Sequence, residues 1–228
     1  MKKYDIFLFD ADGTLFDFDK AEENAFKLTF KVFGFVYSDA LLSRYREISD
    51  DLWKQHEKGK LAKNELQTMR FQRLFECFDF SCDGSDFNVK YLNALGQGTY
   101  LNEGALKICE EINSYGKKIF IVTNGILVTQ VARIGNSLIK GLISDYFVSE
   151  HVGYQKPDIR YFDYVLTHIP ATDKSKILII GDSLTADIVG GNNAEIDSCW
   201  FNPNKKVNNT EAEPTYEINK LSEVSKFI

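Results

Sequence analysis

Three short apolar runs recur along the chain, each breaking off at polar or small residues: DIFLFD (residues 5–10), KKIFIVTNG (117–125) and KILIIGD (176–182). Runs of this length, rich in β-branched and aromatic side chains and separated by helical stretches, are the pattern of strands buried on both faces of a parallel sheet. DYFVSE (145–150) and SCWFN (198–202) predict two further strands. The fold class that follows is α/β.

Between the first run and the second the pattern changes. From residue 20 to about residue 95 the stretches KAEENAFKLTFKVF, DALLSRYREISDDLWKQHEKG and KNELQTMRFQRLFECF space their apolar residues three and four apart, the period of amphipathic helices. GQGTY (96–100) then marks a flexible return, and GALKICEEINSYG (104–116) resumes as a helix covering the sheet. The pattern predicts a sheet-bearing core made of residues 1–16 and 98–228, with a helical domain, residues 17–97, inserted between them and hinges near 15–19 and 95–101.

Composition narrows the partners. The chain has 228 residues, 44% of them hydrophobic, enough to bury a sizeable core in one domain with an insertion. Its 27 Lys plus Arg against 33 Asp plus Glu give a net charge of -6, so the molecule as a whole repels a polyphosphate backbone. A nucleic-acid polymer is thereby excluded as the expected partner, whereas one phosphate held by one local cation is not. Cys77, Cys82, Cys109 and Cys199 form no C-x-x-C pair and are read as reduced thiols. Lys2 and Lys3 precede only a handful of apolar residues before Asp10, which predicts neither a secretory segment nor a membrane span and hence a cytoplasmic protein. No feature points to a protein partner.

The candidate chemistry lies where the runs end. In an open parallel sheet, ligands gather beyond the carboxyl ends of the strands. Asp10 and Asp12 close the first run, Thr123 and Asn124 the second, Asp182 and Ser183 the third, and GYQKPD places Lys156 before a proline that halts any helix. Carboxylates, a hydroxyl and an ammonium converging on one edge are costly to bury unless a cation balances them, so the set calls for a hard metal and an anion. A carboxylate can attack a phosphoryl group and split its transfer into two easier steps, provided Mg²⁺ with oxygen ligands and a lysine screen the phosphate charge. A second carboxylate must protonate the leaving oxygen and later deprotonate the water; Asp12, crowded by other acids, is expected to have the raised pKa this needs. Gly13 would let the backbone approach the phosphate, Thr14 would brace the loop, and Thr123, Asn124 and Gly125, ahead of a predicted helix, would offer a hydroxyl and N–H groups to phosphate oxygens. Taken singly, the two aspartates serve equally as loop-capping acids, Lys156 as a surface lysine, and Asp187 as the cap of the helix ADIVGGNNA.

In order along the chain, DADGT (10–14), VTNG (122–125), QKPD (155–158) and GDSLTAD (181–187) resemble the four motifs of the haloacid dehalogenase-like hydrolase superfamily. The resemblance implies a Rossmann-like parallel sheet core with an inserted small helical cap of the C1 type. It implies Asp10 as nucleophile, Asp12 as acid/base, and Thr123 and Lys156 as phosphate ligands. It further implies a Mg²⁺ site made from Asp10, Asp182 and the main-chain carbonyl of Asp12, with Asp187 in support, and cap closure that excludes bulk water.

LFDFDKAEENAF, LWKQHEKGKL and GDSLTADIVGGNNAEIDSCWFNP are similar to segments of the bacterial pyrimidine 5'-nucleotidase subfamily, which implies a small phosphate monoester, a pyrimidine nucleoside monophosphate, as substrate. One departure is Glu195, where relatives usually carry glycine; it bears on turn geometry. Phe16, Phe18, Trp53 and His56 are candidates to stack on or bond to a base, with a place in the core of the inserted domain as the plainer reading. Gly190 and Gly191 read as close-packing positions, His151 and His168 as ordinary surface residues. The competing readings are a phosphatase or phosphomutase of small sugar phosphates, such as phosphoglycolate phosphatase or β-phosphoglucomutase, and a non-enzymatic receiver phosphorylated on aspartate. Receivers are shorter, place adjacent acids after the first strand and lack an insertion. A dehalogenase of the same superfamily would not keep an acid at position 12.

Overall fold

The structure, a computed structural model, describes residues 2–170 and 173–228. The chain divides into two compact units, one of Met1–Asp19 with Thr99–Ile228 and one of Lys20–Gly98. The first holds a six-stranded sheet: β1 (Ile6–Phe9), β2 (Lys118–Thr123), β3 (Asp145–Val148), β4 (Ile177–Gly181), β5 (Asp197–Phe201) and β6 (Tyr216–Ile218), in the order β3-β2-β1-β4-β5-β6. Every pairing is parallel.

Phe9 stands opposite Ile121 of β2 and Ile180 of β4, so the three central strands run out at one edge in register. The strand order reverses between β1 and β4, which opens a crevice at their carboxyl ends. β6 lies outside the sequence expectation. It is three residues long, with only Ile218 buried, in a polar tract too short to show a period.

The unit of Lys20–Gly98 is helical: α1 begins at the boundary (Phe18–Val32), followed by α2 (Asp39–Glu57), α3 (Lys63–Phe78) and α4 (Gly84–Gly96). Its core is aromatic. Phe26 stacks on Phe30 with centroids 4.4 Å apart, Tyr45 on Phe71 at 5.1 Å, and Phe71 meets Phe87 at 4.8 Å. Arg70 is buried among these rings, with its guanidinium 5.0 Å from the centre of the Tyr91 ring and Nη2 donating to Asn88 Oδ1 at 2.8 Å. Asp83 caps α4 by accepting the N–H groups of Ser85 and Asp86.

In the sheet-bearing unit α5 (Ala105–Ser114), α6 (Leu127–Asn136), the short α7 (Ser149–Val152), α8 (Ile159–His168) and α9 (Val189–Ala194) complete the layers. Alternate residues of β1 serve opposite faces, as the pleat requires. Phe7 and Phe9 pack with Ile108 and Ile112 of α5, Ile134 of α6 and the C-terminal Leu221, Val224 and Phe227. Ile6 and Leu8 pack with Tyr161, Phe162 and Val165 of α8. Gly190 and Gly191 are buried where α9 meets the Phe162 ring and Ile179, with no room for a Cβ. Cys109 and Cys199 are buried in this core as free thiols, and Cys77 is exposed.

Candidate active site

The backbone sets Asp10 in place first. Its N–H donates to Ile180 O at 2.9 Å, carrying the β1–β4 ladder one residue past the strand end, and its side chain is buried. Lys156, also buried, reaches it from the turn before α8. Nζ donates to Asp10 Oδ1 at 2.7 Å, Val122 O at 2.7 Å and Asp187 Oδ1 at 2.6 Å, which satisfies all three ammonium hydrogens. Asn124, at the end of β2, holds the lysine's own backbone from both sides: Nδ2 donates to Lys156 O and Oδ1 accepts from Lys156 N, both at 2.9 Å.

The third run delivers Asp182 just after β4, and a π-type turn over Leu184–Ile188 brings Asp187 back beneath it. Ser183 is the cap of this turn, its Oγ accepting from Ala186 N at 3.1 Å. Asp187 is therefore not a helix cap: fully buried, it accepts from Ser183 N at 3.1 Å and turns its other oxygen to Lys156. Trp200 Nε1 donates to Asp182 O at 3.0 Å and pins the loop from β5.

Asp10, Asp182 and Asp187 each offer a carboxylate oxygen within 4.8 Å of the others. One ammonium cannot balance three carboxylates at this spacing. Burial pushes the Asp10 carboxyl well above the carboxylate range, and Asp187 and Asp182 push it further, against the opposing pull of Lys156. Asp182, unlike the other two, is solvent-exposed as a residue; partial loss of hydration around its carboxyl and the Asp187 charge push it up to about 7. For Lys156 burial alone would favour the neutral amine, but Asp10 and Asp187 more than offset it and hold the ammonium above its ordinary value. An all-oxygen donor set with surplus negative charge fits a hard divalent cation such as Mg²⁺.

The loop residues surround this centre. Gly13 adopts φ +83°, and a Cβ there would lie 2.7 Å from Asp182 Oδ2, so only glycine lets the loop pass so close. Thr14 is buried, its hydroxyl 3.4 Å from Asp182 Oδ1. Thr123 Oγ1 accepts from Gly125 N at 3.0 Å, which closes the β2 loop on itself.

Asp12 departs from expectation. Its carboxylate does not face other acids; it faces α6. Gln130 Nε2 donates to Oδ2 at 2.5 Å, and Arg133 Nη1 donates to Oδ1 in an ion pair. Neither partner was singled out from the sequence, because polar residues on a helix read as its solvent face. The available signal was their spacing of three on a helix whose other inward positions are Thr129 and Ile134, which puts both on the buried side.

Phe16 is fully buried with Arg133 Cζ 4.7 Å from its ring centre, so its ring is a packing surface and not a base platform. Phe18 is half-buried at the start of α1. In the helical unit Trp53 meets His56 edge-on at 5.7 Å, and His56 Nδ1 is tied to Leu61 O at 2.8 Å. His168 stacks on Tyr164 at 4.0 Å, and His151 is exposed in α7.

Residues 7–201 match the family model described as haloacid dehalogenase-like hydrolase. A HAD-hydrolase of Bacillus subtilis, YfnB, is 40% identical over 98% of this chain and 95% of its own. Its magnesium-bound crystal structure superposes with a TM-score of 0.92, covering 99% of this chain and 98% of that one. Two further relatives are named pyrimidine 5'-nucleotidases. PynA of Streptococcus pneumoniae is 39% identical over 94% of this chain and 91% of its own, and YjjG of Escherichia coli is 28% identical over 99% and 98%.

Proposed function

We propose, from the premise that this chain belongs to the haloacid dehalogenase-like hydrolases and is an enzyme with phosphatase chemistry, that it is a Mg²⁺-dependent phosphomonoesterase acting through a phosphorylated Asp10. The observation that carries the reading is the buried Lys156 bridging Asp10 and Asp187, with Asp182 completing a carboxylate cluster at the ends of β1 and β4. Such a cluster has surplus negative charge for a divalent cation, and Lys156 supplies a fixed positive charge beside the attacking carboxylate.

Asp10, Asp182 and Asp187 are the side chains that would hold or support Mg²⁺, with the Asp12 carbonyl; bound there, the ion supplies charge screening that lets a carboxylate approach a phosphate dianion. In the first step an Asp10 oxygen forms a bond to phosphorus while the ester P–O bond breaks, and the leaving oxygen takes a proton from the Asp12 carboxyl. In the second, a water oxygen bonds to phosphorus, the Asp10 P–O bond breaks, and Asp12 accepts the water's proton. Asp12 thus returns to its starting state. Lys156 orients Asp10 and neutralises part of the charge on the phosphate, while Gly13, Thr14, Thr123, Asn124 and Gly125 shape the loops that receive its oxygens.

The substrate assigned is a pyrimidine nucleoside 5'-monophosphate, supported by two relatives of that name that align over nearly the whole chain. Phe18, Trp53 and His56 are the candidates to contact the base. Phosphate release from dUMP, dTMP, UMP, phosphoglycolate and glucose 1-phosphate, with Mg²⁺ and with EDTA, tests both levels. Metal-dependent release from the pyrimidine nucleotides supports the assignment in full; release from the sugar or glycolate esters alone keeps the phosphatase and replaces the substrate.

A further inference from the structure

The contacts of Asp12 hold more than the mechanism uses. Each of its two oxygens is taken by a different donor of α6, Oδ2 by Gln130 at 2.5 Å and Oδ1 by Arg133. Both donors are buried, Gln130 at 1% and Arg133 at 0% exposure, in a helix whose neighbours at Val128 and Val131 are exposed. A charged and an amide side chain drawn inward on an otherwise amphipathic helix are costly to bury, the more so as Gln130 Oε1 finds no hydrogen-bond partner among the described residues, and the bonds that Gln130 and Arg133 donate to Asp12 offset that cost.

What they engage is braced in turn. The Arg133 guanidinium lies between the Asp12 carboxylate and the Phe16 ring, 4.7 Å from its centre. The backbone of that loop is closed by Phe16 N to Ala11 O at 2.8 Å and Gly13 N to Phe16 O at 3.0 Å. Asn102 Nδ2 caps it from outside through Thr14 O at 2.9 Å and Phe16 O at 3.3 Å. On the other side Gln130 runs against Gly125: a Cβ on that glycine would come within 2.9 Å of Gln130 Cγ and Cδ. The missing side chain of Gly125 is the space Gln130 crosses to reach Asp12.

We infer that Gln130 and Arg133 are positioning residues that fix the orientation of the Asp12 carboxyl, and through it set the rate of the two proton transfers. The inference rests on the proposed phosphatase reading. Each carboxylate oxygen has two lone-pair sites. Arg133 and Gln130 occupy one on each, which stops rotation of the carboxyl and leaves a defined remaining site on each oxygen for the proton given to the leaving group and then taken from water. Proton transfer needs a donor held within hydrogen-bond reach in the correct direction, so loosening Asp12 costs rate at those steps specifically.

The test is a double-mutant cycle with two kinds of ester. Single-turnover rates for dUMP, whose sugar alkoxide must be protonated as it leaves, are measured beside those for p-nitrophenyl phosphate, whose phenolate leaves without a proton. The proteins are the native chain, Gln130→Ala, Arg133→Lys, Arg133→Met, Asp12→Asn and Asp12→Asn with Gln130→Ala, each with its melting temperature recorded. General acid–base catalysis is worth about 10²–10⁴-fold, and misorienting its group should forfeit about 10-fold or more of that with dUMP. The p-nitrophenolate burst should change less than about threefold on the same reasoning, KM should stay within about threefold, and Gln130→Ala should add no loss in the Asp12→Asn background. Arg133→Lys should lose less than Arg133→Met, because it keeps a cation behind the carboxylate.

Three results overturn the inference: native dUMP rates in a folded Gln130→Ala, an equal loss with both esters, or a full further loss in the Asp12→Asn background. Gln130→Ala keeps the test decisive if the buried Arg133 variants do not fold. Failure of the underlying reading looks different, since then the native chain releases no phosphate from either ester.

Discussion

Lys156 Nζ and Asp10 Oδ1 lie 2.7 Å apart in a buried ion pair at the end of β1, and the same ammonium is held by Asp187 at 2.6 Å. The pair is therefore one cation between two anions, with Asp182 as a third. Asp10→Asn removes one of the competing charges and leaves Lys156 still paired with Asp187. In the absence of divalent metal the variant should be as stable as the native protein or more stable, by about 1 kcal/mol, the common trade of stability for activity at such sites. Urea unfolding in EDTA measures it, and a loss of more than about 1 kcal/mol would mean that the Asp10–Lys156 attraction outweighs the crowding.

Asp12 should behave in the opposite way. Its partner Arg133 is fully buried, and taking the carboxylate away leaves that guanidinium without its anion. Asp12→Ala should lose both turnover and about 2 kcal/mol of stability, while Asp12→Asn, whose amide oxygen still accepts from Arg133, should lose about half as much. Equal melting temperatures for native and Asp12→Ala protein would contradict the clamp geometry.

The carboxylate cluster also fixes a pH dependence for the metal-free protein. Asp182 is pushed up to about 7 and Asp10 is raised as well, so between the ordinary carboxylate range and about pH 7 the native state binds more protons than the unfolded chain. Stability then falls as pH rises through that window, the sign linkage requires. A cation that replaces those protons reverses it. Melting temperatures in EDTA should drop from pH 5 to pH 7.5 relative to those in Mg²⁺, and the gain from Mg²⁺ should be larger at pH 7.5. A gain independent of pH would separate metal binding from these groups.

Glu195 carries a strain that is independent of the chemistry. It closes α9 at φ +57°, ψ +37°, in the left-handed region. A side chain there costs about 1–2 kcal/mol, part of which glycine recovers against its own greater unfolded-state freedom. Glu195→Gly should raise stability by about 0.5–1 kcal/mol without altering turnover. A lower melting temperature would mean that the exposed contact with Lys174 at 3.8 Å matters more than surface pairs usually do.

The sheet was legible because β1, β2 and β4 are buried on both faces and so read as unbroken apolar runs. β6 was not, since only Ile218 of its three residues is buried and Pro214 and Glu213 precede it. At the site, Asp10, Lys156 and Asp182 could be placed together because each ends a run or precedes a proline, and strand ends at one sheet edge converge whatever lies between them; Asp187 joined them only through the resemblance carried by GDSLTAD. The surroundings of Asp12 could not, because a side chain three residues past a strand, in a loop, can turn to either neighbour. Spacing along the chain says nothing of that rotation. Gln130 and Arg133 win it with an ion pair and a hydrogen bond that no local sequence pattern encodes.

The claim that Asp10 takes the phosphoryl group is tested most directly by trapping it. Protein mixed with dUMP or p-nitrophenyl phosphate and Mg²⁺, quenched in acid within the first turnover and mapped by mass spectrometry, should carry one phosphoryl group on the peptide containing Asp10, absent with EDTA and absent in Asp10→Asn, which should also lose turnover. Sustained turnover in Asp10→Asn, or native turnover with the label on another peptide, would contradict the account.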